Sequence, residues 1–270
     1  MKRVEEGGFL RLESESFTAF GARACFSTRS GGYSAGEYAS LNLGLHVGDD
    51  EIAVLNNRLD YWNSLGIDPD ATVGARQVHG TKIMAVTAGD RGRGAASWSR
   101  ALAATDGLVT VERDVPVFAL AADCHLVALA APEGRGIAVL HAGWRGLLSG
   151  ILERGVGLLA GLVWKKPSDL AAFVGPGLGE DRFEVREDFE AELEKAWGAD
   201  AAADLVRRGG GRASFRYRAA LLRALGAAGV RPELTEIVEG CTGTQSDLYY
   251  SHRTSGGRTG RMAMTVWIPG

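Results

Sequence analysis

The stretch "VPVFALAADCHLVALAAP", residues 115 to 132, restricts this chain more than any other segment. It is almost long and apolar enough to cross a bilayer as a helix. Asp123 and His125 stand near its centre, however, where a charged group costs about 2.5 to 3.5 kcal/mol on insertion scales. Its Val, Ala and Leu content, broken at Asp123-Cys124, fits two short strands buried on both faces. A third apolar run, "GIAVLHAG" (136 to 143), follows after one turn. The core strands of such a protein carry a cysteine and two histidines, groups that are costly to bury unless something satisfies them.

With 270 residues, 46% of them hydrophobic, the chain can build a substantial core. No repeat, low-complexity tract or long linker divides it, so one domain spanning 1–270 is expected. Short strands alternate with glycine-bearing turns from residue 71 onward: "ATVGARQVHG", "KIMAVTA", "DGLVTV" and the three runs above. A helix is expected over "WRGLLSGILERGVGLLAGLVW" (144 to 164), then a strand in "DLAAFVGPGLG". Further helices fall at 186–197, 200–207 and 217–229, with closing strands in "LTEIVEG" and "RMAMTVWIP". Upstream, "SGGYSAGEYASLNLGLHVGDD" (30 to 50) reads as irregular backbone. An Asp-capped helix follows it, with Ile52, Leu55, Leu59, Trp62 and Leu65 as its apolar stripe. Strands first and helices later, without strict alternation, indicate an α+β class rather than a doubly wound fold.

Charge excludes some functions. Thirty Lys and Arg stand against 33 Asp and Glu, leaving no general positive field for nucleic acid or an anionic membrane. The "RRGGGR" run (207 to 212) lacks interleaved aromatics and reads as a flexible surface loop. Three cysteines in a chain of this size point to a reducing compartment, and the first residues lack the apolar core of a signal peptide. A cytoplasmic location is expected.

Three residues at the ends of strand-like runs can converge on one rim: His79 in "RQVHG", Cys124 in "ADC" and His141 in "HAGWRG". Two imidazoles and a thiolate suit zinc or copper, and three protein ligands leave a fourth position open, as in catalytic zinc sites. The spacing matches no known local zinc pattern, so other readings stay open at this point. Cys124 can be a small buried hydrophobe, or a thiol nucleophile activated by His141 or His125.

The motifs "SLNLGLHVGDD", "NNR", "RQVHG", "ATDGLVT", "ADC", "HAGWRG", "GPGLG", "CT" and "YYSHR...TGRMA" occur in the order and spacing of a known family. Over nearly its whole length the chain resembles the multicopper polyphenol oxidoreductase, or peptidoglycan editing factor, family. The resemblance implies a layered α/β/β/α sandwich with mixed sheets, monomeric, and a metal site made by His79, Cys124 and His141. It further implies a zinc-dependent purine nucleoside enzyme that phosphorolyses adenosine, inosine and methylthioadenosine and deaminates adenosine. Alternatives are a copper-dependent polyphenol oxidase and a Cys124-nucleophile amidase editing peptidoglycan precursors.

Deamination needs a base, and no Glu lies two residues after His79 or His141 to act as in cytidine-type deaminases. His46 and Asp123 are the candidates. For phosphate, Arg145 at the start of the following helix is the first candidate, with Arg76 and Arg58 behind it. Gln77 is a candidate either to read the purine edge or simply to orient its loop. The chain departs from the family pattern in having His125-Leu126 after "ADC", where a proline is usual, in "SFRYR" (214 to 218), and in His252. Tyr250, Ser251 and Arg253 remain candidates for the pocket wall.

Overall fold

The computed structural model describes residues 1–270. Strands β1 (Lys2–Glu6), β2 (Phe9–Glu13) and β3 (Arg23–Ser27) come first, with the short helix α1 (Glu15–Ala19) before the third. Helix α2 (Glu51–Ser64) leads to β4 (Val73–Gly74), β5 (Ile83–Ala85), β6 (Gly107–Thr110), β7 (Val117–Ala121), β8 (His125–Ala130) and β9 (Ile137–Ala142). Helices α3 (Trp144–Leu148) and α4 (Ile151–Val163) precede β10 (Ala171–Val174) and β11 (Glu184–Val185). Helices α5 (Glu187–Trp197) and α6 (Ala199–Leu205), the hairpin β12 (Val206–Gly209) and β13 (Arg212–Phe215), and α7 (Tyr217–Ala227) follow. Strands β14 (Thr235–Ile237) and β15 (Met262–Trp267) close the chain.

Two six-stranded mixed sheets form the centre, in the orders β1-β2-β3-β15-β7-β4 and β14-β10-β8-β9-β6-β5. The alternation of side chains along each strand sorts the core into layers. Ala119, Ala121, Met262 and Met264 of the first sheet meet Leu126, Ala128 and Val139 of the second in the space between them. On the outer face of the first sheet, Phe118, Leu120 and Cys25 pack against Tyr61 and Trp62 of α2. On the outer face of the second, Val127, Leu129 and Leu140 pack against α4 and α7. The result is a single α+β domain with α/β/β/α layering, as expected. A small third sheet, β11-β13-β12, lies beside α5 and α6.

The apolar stretch from 115 to 132 is β7 and β8, with the break at the Asp123-Cys124 step, and the two strands belong to different sheets. No helix is long and apolar enough to cross a membrane. Several expectations are corrected. The helix expected over 144–164 is two helices, divided where Gly150 takes a left-handed φ of 87°. The "RRGGGR" run is not a free loop but the end of a regular hairpin, with Arg207 and Arg208 paired to Ser214 and Ala213.

The buried face of α2 also differs from its expected stripe. Ile52 and Leu59 are exposed, and the buried residues are Val54, Asn57, Arg58, Tyr61 and Trp62. The segment from 30 to 50 is mostly irregular, so its main-chain groups need partners from elsewhere. Asn57 supplies several by donating to the Ser40 and Asn42 carbonyls and accepting from the Tyr33 N–H, and it also donates to the Ser34 hydroxyl.

Candidate metal centre and its cavity

His79, Cys124 and His141 come together as the sequence motifs suggested. Each offers one ligand atom, and these atoms lie within 4.8 Å of one another. Two of the three sit in segments that carry the chain from the first sheet to the second: His79 between β4 and β5, Cys124 between β7 and β8. His141 is on β9, facing the space between the sheets and paired in register with Leu126. Both linking segments use left-handed backbone at non-glycine residues, φ 61° at His79 and 89° at Asp123. Such positions are uncommon for residues with a Cβ and need surrounding structure to hold them.

At His79 that structure is a residue the sequence reading passed over. Asp106, buried at 1% exposure, accepts from His141 Nδ1 at 2.9 Å. The same carboxylate accepts the successive main-chain N–H groups of Val78, His79 and Gly80. Burial alone pushes its pKa up, but the bonds from His141 and Gly80 carry it below the ordinary carboxylate value. In the sequence, Asp106 looks like the turn residue of "ATDGLVT"; only its long-range contacts reveal it.

Electrostatics complete the cluster. Desolvation pushes the Cys124 thiol up, yet the His141 and His79 imidazoles bring it below the ordinary value. Desolvation pushes His141 down, and the Cys124 thiolate and Asp106 reverse the sign and raise it. The pair therefore favours thiolate and imidazolium when no cation lies between them. Two imidazoles and a thiolate held this way are a borderline-soft donor set that suits zinc or copper.

A cavity of about 420 Å³ opens at the cluster, walled by His46, Trp98, Trp144, Phe183, Tyr217, Arg253 and Arg261 among others. Trp98 stacks on His46 with centroids 4.1 Å apart and planes at 21°. Neither Arg261 nor Arg253 is ion-paired to a carboxylate. Arg261 donates to the Thr259 and Gly260 carbonyls, and Arg253 lies over Phe183 and donates to the Glu184 carbonyl. Trp98, Trp144, Phe183, Tyr217 and Arg261 were missed in the sequence, although Arg261 lies inside the quoted "TGRMA" motif.

The other candidates are placed as follows. His46 is at the cavity rim, where partial desolvation and then the charges of Arg261 and Arg58 hold its imidazole below the ordinary value. Asp123 lines the cavity, but its two oxygens accept from Thr242 Oγ1 and the Arg253 N–H. Gln77 also lines it, with its amide paired to both main-chain groups of Leu120. Arg145 is exposed, lies 4.1 Å over the ring of Trp144, and is not a cavity wall.

Arg76 is half-buried outside the cavity, with its Nε unpartnered. Arg58 is buried and donates to the carbonyls of Leu43, Gly94 and Ala95. The expectation of phosphate contacts is therefore corrected for Arg58, which is buried outside the cavity and donates from all three of its nitrogens to main-chain carbonyls. Tyr250 and Ser251 are buried away from the cavity, whereas Arg253 lines it as expected.

His125, the residue adjoining the ligand cysteine, points to the other face of β8. Its Nδ1 pairs with the Gly175 carbonyl at 2.8 Å and its ring meets Tyr217 edge-on. Burial holds it down to about 4, so it is neutral at ordinary pH. Gly177 is required beside it, since a Cβ there would stand 2.7 Å from the ring.

Comparison with known proteins agrees with this architecture. Residues 23–269 match the family model described as multi-copper polyphenol oxidoreductase laccase. The chain is 35% identical to purine nucleoside phosphorylase YlmD of Geobacillus stearothermophilus, over 96% of this chain and 93% of the relative. It is 34% identical to purine nucleoside phosphorylase YfiH of Escherichia coli, over 92% and 94% of the two chains. The crystal structure of YlmD from Geobacillus stearothermophilus superposes with a TM-score of 0.91, covering 99% of each chain at 34% identity. With its layered sandwich, its His-Cys-His cluster and a match across nearly its whole length, the chain belongs to the multi-copper polyphenol oxidoreductase laccase family.

Proposed function

We propose that this protein is a zinc-dependent purine nucleoside phosphorylase acting on adenosine, inosine and methylthioadenosine, with an adenosine deaminase activity at the same site. The observation that carries the proposal is the three-ligand cluster opening into a cavity that offers both flat aromatic walls and unpaired cations. Relatives named purine nucleoside phosphorylase cover nearly all of the chain. When bound by His79, Cys124 and His141, zinc supplies Lewis-acid chemistry and an acidified water at its open position.

The chain's own residues divide the remaining work. Asp106 accepts a hydrogen bond from the His141 Nδ1–H and so leaves Nε2 for the cluster. Trp98, Trp144, Phe183 and Tyr217 give a flat heterocycle apolar surface to lie against. Arg261 and Arg253, cations without carboxylate partners, hold the phosphate, the role expected of Arg145 from sequence. His46, neutral at ordinary pH, receives or passes a proton at the rim during deamination. A cytoplasmic location suits a site that needs a reduced thiolate, and all three cysteines are free.

The geometry favours this reading over a multicopper oxidase. Of the five histidines, only His79 and His141 join the cluster, and His125 faces the opposite side of its strand. The Cys124-His141-Asp106 sequence of contacts also resembles that of a thiol hydrolase, which is the second reading.

One experiment separates them. Protein supplied with adenosine and inorganic phosphate should release adenine and ribose 1-phosphate, and the sugar phosphate should be absent without phosphate. Chelation and Cys124→Ala should each abolish turnover. Full activity in chelated protein would remove the zinc reading and leave the thiol one.

A further inference from the structure

We infer that Asp106 is the positioning residue that couples two of the three ligand segments and fixes the His141 tautomer. The inference rests on the metal reading above, but not on the identity of the substrate. Its basis is the number and origin of the bonds that converge on one buried carboxylate. Oδ1 accepts from the His79 N–H and from His141 Nδ1, each at 2.9 Å. Oδ2 accepts from the Gly80 N–H at 2.9 Å and the Val78 N–H at 3.1 Å. The main chain adds a fifth link, since the Asp106 carbonyl accepts the His141 N–H at 2.7 Å.

Successive N–H groups around a left-handed residue form an anion-binding concavity, and here the anion is a side chain. Its bonds offset the unfavourable left-handed backbone at His79, where a residue with a Cβ is uncommon. At His141 the consequence is different in kind. An ionised carboxylate only accepts, so Nδ1 must carry the proton and Nε2 keeps its lone pair for a cation.

No orientation of an asparagine at this position can reproduce both functions. With the amide oxygen at the Oδ1 place, the bonds from His141 Nδ1 and the His79 N–H remain, but the NH₂ group faces the Gly80 N–H and the loop loses its link at that residue. With the amide turned over, the NH₂ group faces His141 Nδ1 and drives the proton to Nε2. Either way the carboxylate's full set of bonds to the two ligand segments is broken, although the side-chain volume is nearly unchanged.

The test measures zinc itself rather than turnover. Zinc affinity is determined by competition with a chromogenic chelator for the wild type, Asp106→Asn and Asp106→Ala. Imidazole nitrogen NMR of the zinc-loaded wild type reports which nitrogen of His141 is protonated. Asp106→Asn should bind zinc about 10- to 100-fold more weakly, the usual effect of removing such a partner. Asp106→Ala, which loses every side-chain bond, should be impaired at least as much, and His141 in the wild type should carry its proton on Nδ1.

Zinc affinity of Asp106→Asn within about threefold of a zinc-binding wild type would overturn the assignment while leaving the metal site standing. A proton on Nε2 in the loaded wild type would also overturn it, and that measurement decides alone if the variants do not fold. A wild type that takes up no zinc would remove both this assignment and the metal reading.

Discussion

Cys124 and Cys25 show how neighbours, not burial alone, set the chemistry of a thiol. Cys25 shares a 3.2 Å contact with the Tyr61 hydroxyl, and burial pushes it up to about 12. Cys124 is desolvated too, but the His141 and His79 imidazoles reverse the sign. The thiolate is the reactive form, so a lowered pKa keeps the alkylation rate high as pH falls below the ordinary thiol range. In metal-free protein, iodoacetamide should therefore label the Cys124 peptide with a midpoint below the ordinary value of 9.0, leave Cys25 unlabelled, and stop labelling Cys124 when zinc is added. Peptide mapping separates these sites from Cys241, and a Cys124 midpoint at or above the ordinary value would contradict the arrangement. Gly143 gives a steric prediction at the same scale. A Cβ there would stand 2.7 Å from His79 Cδ2 and 3.4 Å from Cys124 Sγ. Gly143→Ala should displace the His79 ring and weaken zinc binding about tenfold, with little loss of folding stability. The members of the cluster were legible in sequence because His79, Cys124 and His141 stand at the ends of strand-like runs where such groups need a reason. Asp106 was not, because its role depends on partners 26 to 35 residues away that no local pattern displays.

At the level of elements, α2 shows where periodicity misleads. Its apolar residues suggested one stripe, but the face it buries contains Asn57 and Arg58, which hold irregular segments by their carbonyls. Hydrophobic spacing describes packing against a sheet; it carries no signal for a helix that also braces a long loop. The β7-β8 break was legible from composition, whereas the transfer from one sheet to the other was not, since a local turn contains no record of which strands will flank it. Arg58 and Arg261 give opposite predictions. Arg58→Met would leave the buried Leu43, Gly94 and Ala95 carbonyls without their donor, and should lower stability in urea titration by about 3 kcal/mol or more, an unsatisfied buried acceptor costing roughly 1–3 kcal/mol. The phosphate KM of the folded fraction should stay near the wild-type value. Arg261→Met should instead raise the phosphate KM about tenfold or more, a hydrogen bond to a charged group being worth roughly 1.5–3 kcal/mol. An unchanged KM in Arg261→Met would move the phosphate away from this side of the cavity.

Across the whole molecule, the ligand cluster joins pieces that the fold brings from far apart. His79 follows an edge strand of the first sheet, Cys124 lies in the link between sheets, and His141 ends a central strand of the second. The unfolded chain has no such arrangement, so a cation bound by all three binds the native state preferentially and stabilises it by mass action. At free zinc 100 times its Kd, the gain is about 2.7 kcal/mol. For a domain of this size that corresponds to a rise in Tm on the order of 5–10 °C. Because the three ligands tie both sheets together, the transition should move as one unit rather than resolve a separately stabilised part. Cys124→Ala should melt near the metal-free wild type and lose most of the zinc-dependent rise. His125→Gln, altered one residue away but on the opposite face of β8, should change the baseline Tm and keep the rise. A zinc-dependent shift equal in Cys124→Ala and wild type would show that zinc acts elsewhere on the surface. A shift lost in His125→Gln but kept in Cys124→Ala would contradict the assignment of the two faces of this strand.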